Sequence, residues 1–402
     1  MTEPSLPAVD GAPSWARTVR RLVWTRTSAR LGLAWIALVA AAAVFAPWLA
    51  NSQPLWVVMD GVGQSPALAA MTVADWLWLA GLLWTLALLG VRRGSWSRRL
   101  GAWCAAMLVS AALAQALVQP PVLRAQEYWR EAERNGAATQ LWRAPIPYSP
   151  KDYLRDFGDT ALRAPLAENR DGRTHWMGTE ENGADVASRM IHASRIALGI
   201  GFIATGIALA IGVLVGGVMG WFGGRVDMFG MRLVEVFEAI PTLFLLLAFV
   251  AFFERSVYMM MVIIGLTSWS GFARYVRAEF FRLRSQPFVQ AAQVCALPLS
   301  SILFRHMLPN GMAPVLVAAS FSVASAILAE ATLSFLGLGV LDDPSWGQML
   351  NQAVQASSFN WWMAVFPGGA IFLTVFAYNH VGEALRDALD PARRSAAGEG
   401  AA

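Results

Sequence analysis

The segment IALGIGFIATGIALAIGVLVGGVMGW occupies residues 196–221 and contains no charged side chain. About 20 apolar residues in a helix are enough to cross the hydrocarbon layer of a bilayer, where a helix satisfies its own backbone hydrogen bonds. Outward from this segment, 56% of the chain is hydrophobic and only 14% is charged, whereas soluble domains have about a quarter charged residues. The sequence therefore predicts an all-α integral membrane protein with about eight spans. The predicted spans are 31–50, 72–91, 100–118, 196–221, 233–253, 257–272, 311–340 and 361–378.

Polar segments divide these spans into regions. We expect a tail at 1–30, a loop or small domain at 119–188, a polar loop at 273–310 and a second tail at 386–402. Within the long segment, EYWREAERNG at 127–136 is expected to form a short helix. The prolines on either side of it interrupt regular structure.

Arginine placement predicts the orientation of the chain, because Lys and Arg in short loops are enriched on the cytoplasmic side. With the N-terminus in the cytoplasm, the cytoplasmic segments hold 19 of the 31 basic residues, and the short loops on the other side hold one, Arg255. The opposite orientation reverses that ratio. We therefore expect a multi-pass protein with both termini in the cytoplasm.

The sequence contains no recognisable nucleotide-binding or catalytic motif. A phosphate-binding P-loop requires the lysine of G-x-x-x-x-G-K-[ST], and the one lysine of the chain, Lys151, lies in SPKDY. The four histidines are scattered without metal-site spacing. Cys104 and Cys295 are interpreted as small apolar residues. We therefore expect no cofactor, metal site, catalytic residue or bound nucleic acid.

The segment EFFRLRSQPFVQAAQVCALPLSSILFRHMLPN, residues 279–310, is a long polar interruption among the spans. Val289, Val294 and Leu297 are expected to form the apolar face of a short helix that Pro298 ends. Such a helix docks in a groove of a partner protein, or it is an ordinary interfacial helix without a partner. These residues alone leave both interpretations open.

This segment resembles the coupling loop of ABC-importer permeases, whose pattern is E-A-A, three residues, G, and then I and H-x-L-P. Gln290 replaces the acid of this pattern and Ala296 replaces the glycine. The positions that match are Ala291, Ala292, Ile302, His306, Leu308 and Pro309. The resemblance implies that the loop seats in a cleft of an ATPase subunit and transmits nucleotide-driven closure. Glutamine keeps hydrogen-bonding ability without charge, and alanine restricts the backbone more than glycine does.

Further motifs resemble the C-type permease of the oligopeptide, dipeptide and nickel importers, and they occur in the same order. The segment at 175–190, HWMGTEENGADVASRM, is similar to H-x-x-G-T-D-x-x-G-R-D-V-x-S-R of that family. The other matching segments are GWFGGRVD (220–227), AILAEATLSFLGLG (326–339), PSWGQML (344–350) and ALRDALDP (384–391). LANSQPL (49–55) resembles the microcin-C (Yej-type) branch.

The resemblance implies a six-span ABC type I importer permease core at 189–385, in a bacterial inner membrane, with 31–50 as first span and 119–188 in the periplasm. Residues 72–118 match nothing in that six-span plan, and we interpret them as an inserted transmembrane hairpin. The implied partners are a second permease subunit, two ABC ATPase subunits, a periplasmic substrate-binding protein and membrane lipid. The chain then forms half of a translocation pathway for peptides, and the ATPase activity belongs to its partners.

Four residues within the spans are further candidates. Gly212, Gly216 and Gly220 recur every four positions, so they lie on one stripe where another helix approaches closely. We favour packing over substrate contact for this stripe. Glu330 is a carboxylate within a span, which is energetically costly and by default a functional candidate. A hydrogen-bonding role that supports the bundle is the alternative.

Two other classes of function remain open on the residues alone. A secondary transporter needs buried ion-coupling residues or inverted repeats, and Glu330 is one candidate carboxylate without a visible repeat. A membrane-embedded enzyme needs a cluster of polar residues at one membrane surface, and no recognisable motif supplies one. The sequence also leaves the substrate open among peptides, nickel chelates and antibiotic peptides.

Overall fold

The structure, a computed structural model, describes residues 24–59, 61–91, 96–119, 126–153, 162–169, 172–253, 255–340 and 343–389. The first half contains α1 Thr27–Leu49, β1 Trp56–Met59, β2 Val62–Gln64, α2 Pro66–Ala69, α3 Val73–Gly90, α4 Trp96–Leu117, α5 Gln126–Arg134, β3 Ala138–Trp142, β4 Ala167–Glu168 and β5 Thr174–His175. The second half contains α6 Val186–Phe222, α7 Gly224–Ala239, α8 Thr242–Phe252, α9 Val257–Thr267, α10 Trp269–Arg284, α11 Pro287–Val294, α12 Leu299–Ser301, a π-helical turn Ile302–Met307, α13 Leu308–Phe335, α14 Trp346–Gln355 and α15 Trp361–Leu389.

Six helices in the described part of the chain are long and apolar enough to cross a membrane. Two bent helix pairs raise the number to eight if each pair is one span, namely α7 with α8 and α9 with α10. The predicted class, an all-α membrane protein of about eight spans, is confirmed. Most of the predicted tails, residues 1–23 and 390–402, lie outside the described residues.

The predicted span at 233–253 is not one straight helix but part of the bent pair α7 and α8. The chain bends by 83° between α7 and α8, where Ile240 is extended, with φ −87° and ψ 121°, and Pro241 precedes α8. Proline has no backbone N–H to continue a helix, and its ring disfavours helical geometry in the residue before it. These two effects at Ile240 and Pro241 account for the break.

The expected polar loop at 273–310 is shorter than predicted. Its first part continues as helix α10 to Arg284, and its last residues open α13 at Leu308. Both ends are helical because α10 and the start of α13 bury apolar side chains in one cluster, which includes Val276, Phe280 and Leu283. Burial of that face outweighs the polar composition.

Helix α6 lies at the centre of the bundle, where it packs against α1, α9, α10 and α13. Helix α15 packs against α1 and α13. The contact of α1 with α15 is close, because a Cβ atom added at Gly32 would lie 2.9 Å from the Ala377 carbonyl oxygen. The Trp35 indole N–H also donates to Thr374 Oγ1 at 3.0 Å. The first span is therefore an integral part of the core.

A small antiparallel sheet with strand order β2-β1-β3 covers one end of the bundle. Trp56 of β1 pairs with Trp142 of β3, so the sheet joins the segment after α1 to the segment after α5. We call this end of the bundle the sheet end and the opposite end, which carries α11, the loop end. Helix α5 confirms the predicted helix at 127–136. The strands were not predicted, and one of their pairings, β1 with β3, joins segments far apart in the chain.

Helices α3 and α4 form an antiparallel hairpin beside the bundle. They pack on each other, and α3 also contacts α1. The Trp84 indole donates to Ser110 Oγ at 3.0 Å, and the Trp103 indole donates to Thr85 Oγ1 at 3.3 Å. Most other side chains of the two helices are exposed to the surroundings of the bundle. The hairpin is thus held together internally and borders the core on one side.

Candidate functional site

Helix α11 lies at the loop end and is seated by a narrow apolar face. It begins at Pro287, whose missing N–H is not needed in a first helical turn. Val289 is 0% exposed and Ala292 is also buried, and both contact the cluster that contains Ile302. The prediction that Val289, Val294 and Leu297 share one apolar face is wrong, because Val294 and Leu297 are exposed. Val294 follows Val289 by five residues, which places it about 140° away around the helix.

The opposite side of α11 presents apolar side chains to its surroundings. Val294 is 86% exposed. The other large apolar side chains exposed on and just after this helix are Phe288, Leu297 and Leu299. We call these four residues the α11 apolar surface. Shortly before α11 in the chain, Arg282 and Arg284 of α10 are also exposed, and Arg282 is paired with Glu279.

Helix α11 ends in a Schellman motif. The Leu297 N–H donates to the Ala292 carbonyl at 3.2 Å, and the Ala296 N–H donates to the Gln293 carbonyl at 2.9 Å. In this motif the first residue after the helix cap adopts a left-handed conformation and is usually glycine. Here it is Ala296, with φ +50°. The position at which Ala296 replaces the glycine of the coupling-loop pattern is therefore a strained one.

The remaining residues of the coupling-loop pattern follow directly along the chain. Ile302 is buried at the start of the π-helical turn, and half-buried His306 lies near its end. Leu308 and Pro309 form the first two positions of α13. The Gln290 side chain donates to the Ser285 carbonyl at 3.4 Å, close to the end of α10. Ala291 is exposed on α11.

The glycine stripe of α6 faces α10. A Cβ atom at Gly212 would lie 2.3 Å from Phe272 Cβ, and one at Gly216 would lie 2.3 Å from the Ala273 carbonyl oxygen. At Gly220 it would lie 2.6 Å from Phe280 Cβ. These three positions allow the two helix backbones to approach more closely than any larger side chain permits.

Glu330 is buried in α13 near the sheet end. The Ser334 hydroxyl donates to Glu330 Oε1 at 2.7 Å, and Ser345 is a second hydrogen-bond partner. Ser345 also caps α14, since its hydroxyl oxygen accepts from the Gln348 N–H at 3.1 Å. Glu330 thereby connects α13 to the start of α14. It lies roughly 33 Å along the helix from the coupling-loop residue Leu308, so these two predicted sites are not brought together.

The residues of the 175–190 motif fold onto the start of α6. His175 Nδ1 lies 2.8 Å from Asp185 Oδ2, and both side chains are fully buried. Asp185 Oδ1 accepts from the Ser188 N–H at 2.7 Å and so caps α6. The His175 ring stacks on Tyr148 at 4.3 Å. The Ser188 hydroxyl donates to the Tyr148 carbonyl at 2.8 Å, so this Ser, His and Asp are arranged for helix capping and not as a nucleophile with its base.

No three His, Cys, Asp or Glu side chains lie close enough to hold a metal ion in the described part of the chain. Sequence reasoning missed a different polar group at the sheet end, an ion pair between Asp75 and Arg195. The signal was present, since Asp75 is an acid within an apolar segment and Arg195 directly precedes the apolar segment at 196–221.

Comparison with known proteins relates this geometry to a family. The family model for the binding-protein-dependent transport system inner membrane component matches residues 212–395, which include the glycine stripe, α11 and Glu330. The oligopeptide transport system permease protein OppC of Haemophilus influenzae is 35% identical over 254 residues, which cover 63% of this chain and 79% of that protein.

Two other relatives extend the comparison. The dipeptide transport system permease protein DppC of Bacillus subtilis is 37% identical over 293 residues, covering 70% of this chain and 90% of that protein. The inner membrane ABC transporter permease protein YejE of Escherichia coli is 37% identical over 273 residues, covering 66% of this chain and 76% of that protein. The chain therefore belongs to the family of transport permeases described as the binding-protein-dependent transport system inner membrane component.

Proposed function

We propose that this chain is one of the two permease subunits of a bacterial ABC importer for peptides. It forms half of the translocation pathway, and α11 with the residues up to Pro309 couples it to ATPase subunits. Relatives named as oligopeptide and dipeptide transport permeases support the substrate class. The α11 apolar surface is the observation that carries the proposal for coupling.

The physical reason lies in the way α11 is seated. Its inward face is narrow, because only Val289 and Ala292 are buried, and its outward face still carries Val294 almost fully exposed. A surface apolar cluster of this kind marks a site for another protein or a membrane. Arg284, three residues before α11, is exposed and adds a positive charge close to α11 in the chain, whereas Arg282 is paired with Glu279. A protein cleft with an apolar floor fits this surface.

The orientation that accompanies this proposal has the loop end in the cytoplasm and the sheet end in the periplasm of a cell with an inner membrane. The enrichment of arginine at the loop end supports it. The ATPase subunits then meet α11 from the cytoplasm. A substrate-binding protein docks on the sheet end, and a second permease completes the pathway. Both termini are cytoplasmic, residues 72–118 are an inserted hairpin, and 119–188 is a periplasmic module.

For the residues within the bundle we propose supporting roles. The stripe of Gly212, Gly216 and Gly220 serves close packing of α6 on α10. Glu330 holds α14 against α13, and this tie is required for transport. Both roles agree with the buried contacts of these residues, and neither needs direct contact with substrate.

The test is co-purification of the ATPase subunits with the full-length chain. Val294→Asp introduces a charge into the α11 apolar surface and is expected to reduce recovery of the ATPase subunits at least tenfold. Val354→Asp is the matched control, because Val354 is 70% exposed on α14, far from the loop end. It is expected to leave recovery unchanged. Full recovery with Val294→Asp refutes the assignment of α11 as the coupling surface.

A further inference from the structure

Arg195 connects three helices at the sheet end. It lies on α6, and its side chain is 12% exposed. Its Nη1 donates to Asp75 Oδ1 of α3 at 2.5 Å, and its Nε donates to the Ala43 carbonyl of α1 at 2.6 Å. One guanidinium group therefore bonds both the hairpin and the first span to the central helix of the core.

The Ala43 carbonyl accepts this bond because of a proline one turn further along α1. Pro47 lies inside α1 and has no N–H to donate to the carbonyl four residues earlier. In an apolar layer, a carbonyl without a partner is costly. Arg195 supplies the missing donor. His192 lies one turn before Arg195 on α6. Its Nε2 is 3.0 Å from the Ala50 carbonyl just after α1, and this carbonyl accepts a hydrogen bond from the ring N–H.

Asp75 is held from its own side as well. Its Oδ2 accepts from the Thr72 N–H at 2.6 Å and from the Thr72 hydroxyl at 2.7 Å, which completes a capping box at the start of α3. The carboxylate thus uses one oxygen to begin α3 and the other to bind Arg195. The ion pair is joined to the helix backbone and not only to a flexible side chain.

We infer that Arg195 is a positioning residue that fastens the α3–α4 hairpin to the transport core, so that α1, α3 and α6 move as one body at the sheet end. The hairpin has few other contacts with the core, which it reaches mainly through α1. Removing one partner of a buried ion pair leaves an uncompensated charge. The inference about movement rests on the proposed transport cycle, whereas the fastening itself does not.

The fastening is tested by a distance measurement on the full-length chain in lipid nanodiscs. Native Cys104 of α4 and a cysteine at exposed Ile203 of α6 take spin labels, and Cys295→Ser removes the other thiol. A single narrow distance distribution is expected. Asp75→Asn keeps the side-chain shape and is expected to broaden the distribution at least twofold. An equally narrow distribution in Asp75→Asn overturns the inference.

Lys151→Gln is the matched control, because Lys151 also forms an ion pair, with Asp343 at 3.0 Å, but that pair is exposed and does not involve the hairpin. It is expected to leave the distribution unchanged, and equal broadening in this variant also overturns the inference.

The same labels are then measured in the importer with ATP and vanadate. An unchanged distance supports movement as one body, and a shift between states refutes it. Absence of ATPase subunits from the complex refutes the proposed function and leaves the nanodisc result standing.

A second experiment uses Pro47. Pro47→Ala restores the backbone N–H that can donate to the Ala43 carbonyl. That carbonyl then no longer depends on Arg195, whose remaining essential partner is Asp75. The fall in Tm caused by Arg195→Gln is expected to be smaller in the Pro47→Ala background, because the two positions share that carbonyl. Equal falls in both backgrounds overturn the role assigned to Ala43. Arg195→Lys, which keeps the charge, replaces Arg195→Gln if the latter fails to fold.

Discussion

Replacing Ala296 by glycine is expected to stabilise the end of α11. Ala296 occupies the left-handed position of the Schellman motif, with φ +50°. In that conformation the Cβ atom of an L-residue crowds the following carbonyl oxygen. Glycine has no Cβ atom and adopts the same backbone geometry without that repulsion.

The magnitude follows from two opposing effects. The left-handed conformation costs an L-residue about 1–2 kcal/mol. Glycine loses about 0.5–1 kcal/mol relative to alanine, because its unfolded backbone is freer. Ala296→Gly should therefore raise the free energy of local opening by about 0.5–1 kcal/mol, which corresponds to about a two- to fivefold change in the opening equilibrium.

Hydrogen exchange of the full-length protein measures this directly. The amides of Cys295, Ala296 and Leu297 donate to carbonyls of α11 at 2.9, 2.9 and 3.2 Å, and their exchange reports local opening. Exchange of Cys295 and Leu297 is expected to slow about two- to fivefold in Ala296→Gly. The affinity of the ATPase subunits for the chain should also rise in Ala296→Gly, because α11 is better ordered.

Ala291→Gly provides a control with the same chemical change and the opposite sign. Ala291 is exposed in the middle of α11, where glycine destabilises a helix by about 0.5–1 kcal/mol. The same amides should exchange faster in this variant. If both variants change exchange in the same direction, strain at Ala296 does not govern the end of α11, and the reasoning is refuted.

Three further outcomes follow from the bundle. Gly216→Ala places a methyl group 2.3 Å from the Ala273 carbonyl oxygen, so thermal unfolding in detergent should show a loss of about 1–3 kcal/mol from overpacking. Glu330→Gln should reduce peptide uptake by cells while the complex still co-purifies. The Ser357 hydroxyl and N–H hold the pKa of Glu181 below its ordinary value. The stabilisation from this bond is therefore present above the ordinary carboxyl pKa and lost as pH falls, so the difference in Tm between wild type and Glu181→Gln should vanish in acid.

Each of these outcomes has a contrary result. Gly206 lies on the same helix, and a Cβ atom there would meet no atom of another described element within 4 Å. Gly206→Ala should therefore be harmless, and a loss equal to that of Gly216→Ala argues against packing at the stripe. Wild-type uptake with Glu330→Gln discards its role in transport. A difference between wild type and Glu181→Gln that persists in acid contradicts the assignment to the ionised carboxylate.

Local patterns predicted much of the fold and little of its detailed packing. The length of the apolar segments predicted about eight spans, and the coupling-loop pattern identified the region of α11 and the unusual alanine at Ala296. The predicted apolar face of α11 was right at Val289 and wrong at Val294 and Leu297, which are exposed. Which side of this helix is buried depends on the cluster around Ile302, which the chain reaches later. The sequence analysis did not predict the bend at Pro241. Some membrane helices tolerate a proline because neighbouring groups satisfy the freed carbonyl, so the proline alone does not predict a bend.

The sequence by itself determined that the chain crosses a membrane and carries the ordered motifs of its family, because run length, composition and spacing are properties of consecutive residues. The tertiary structure decided which separated residues meet. Strand β1 pairs with β3 across the hairpin, and Asp75 meets Arg195 although 120 positions separate them. Such contacts depend on where whole helices pack. A polar group buried in an apolar layer costs free energy unless it has a partner, so a packing that brings both partners together is favoured. No local pattern encodes that packing.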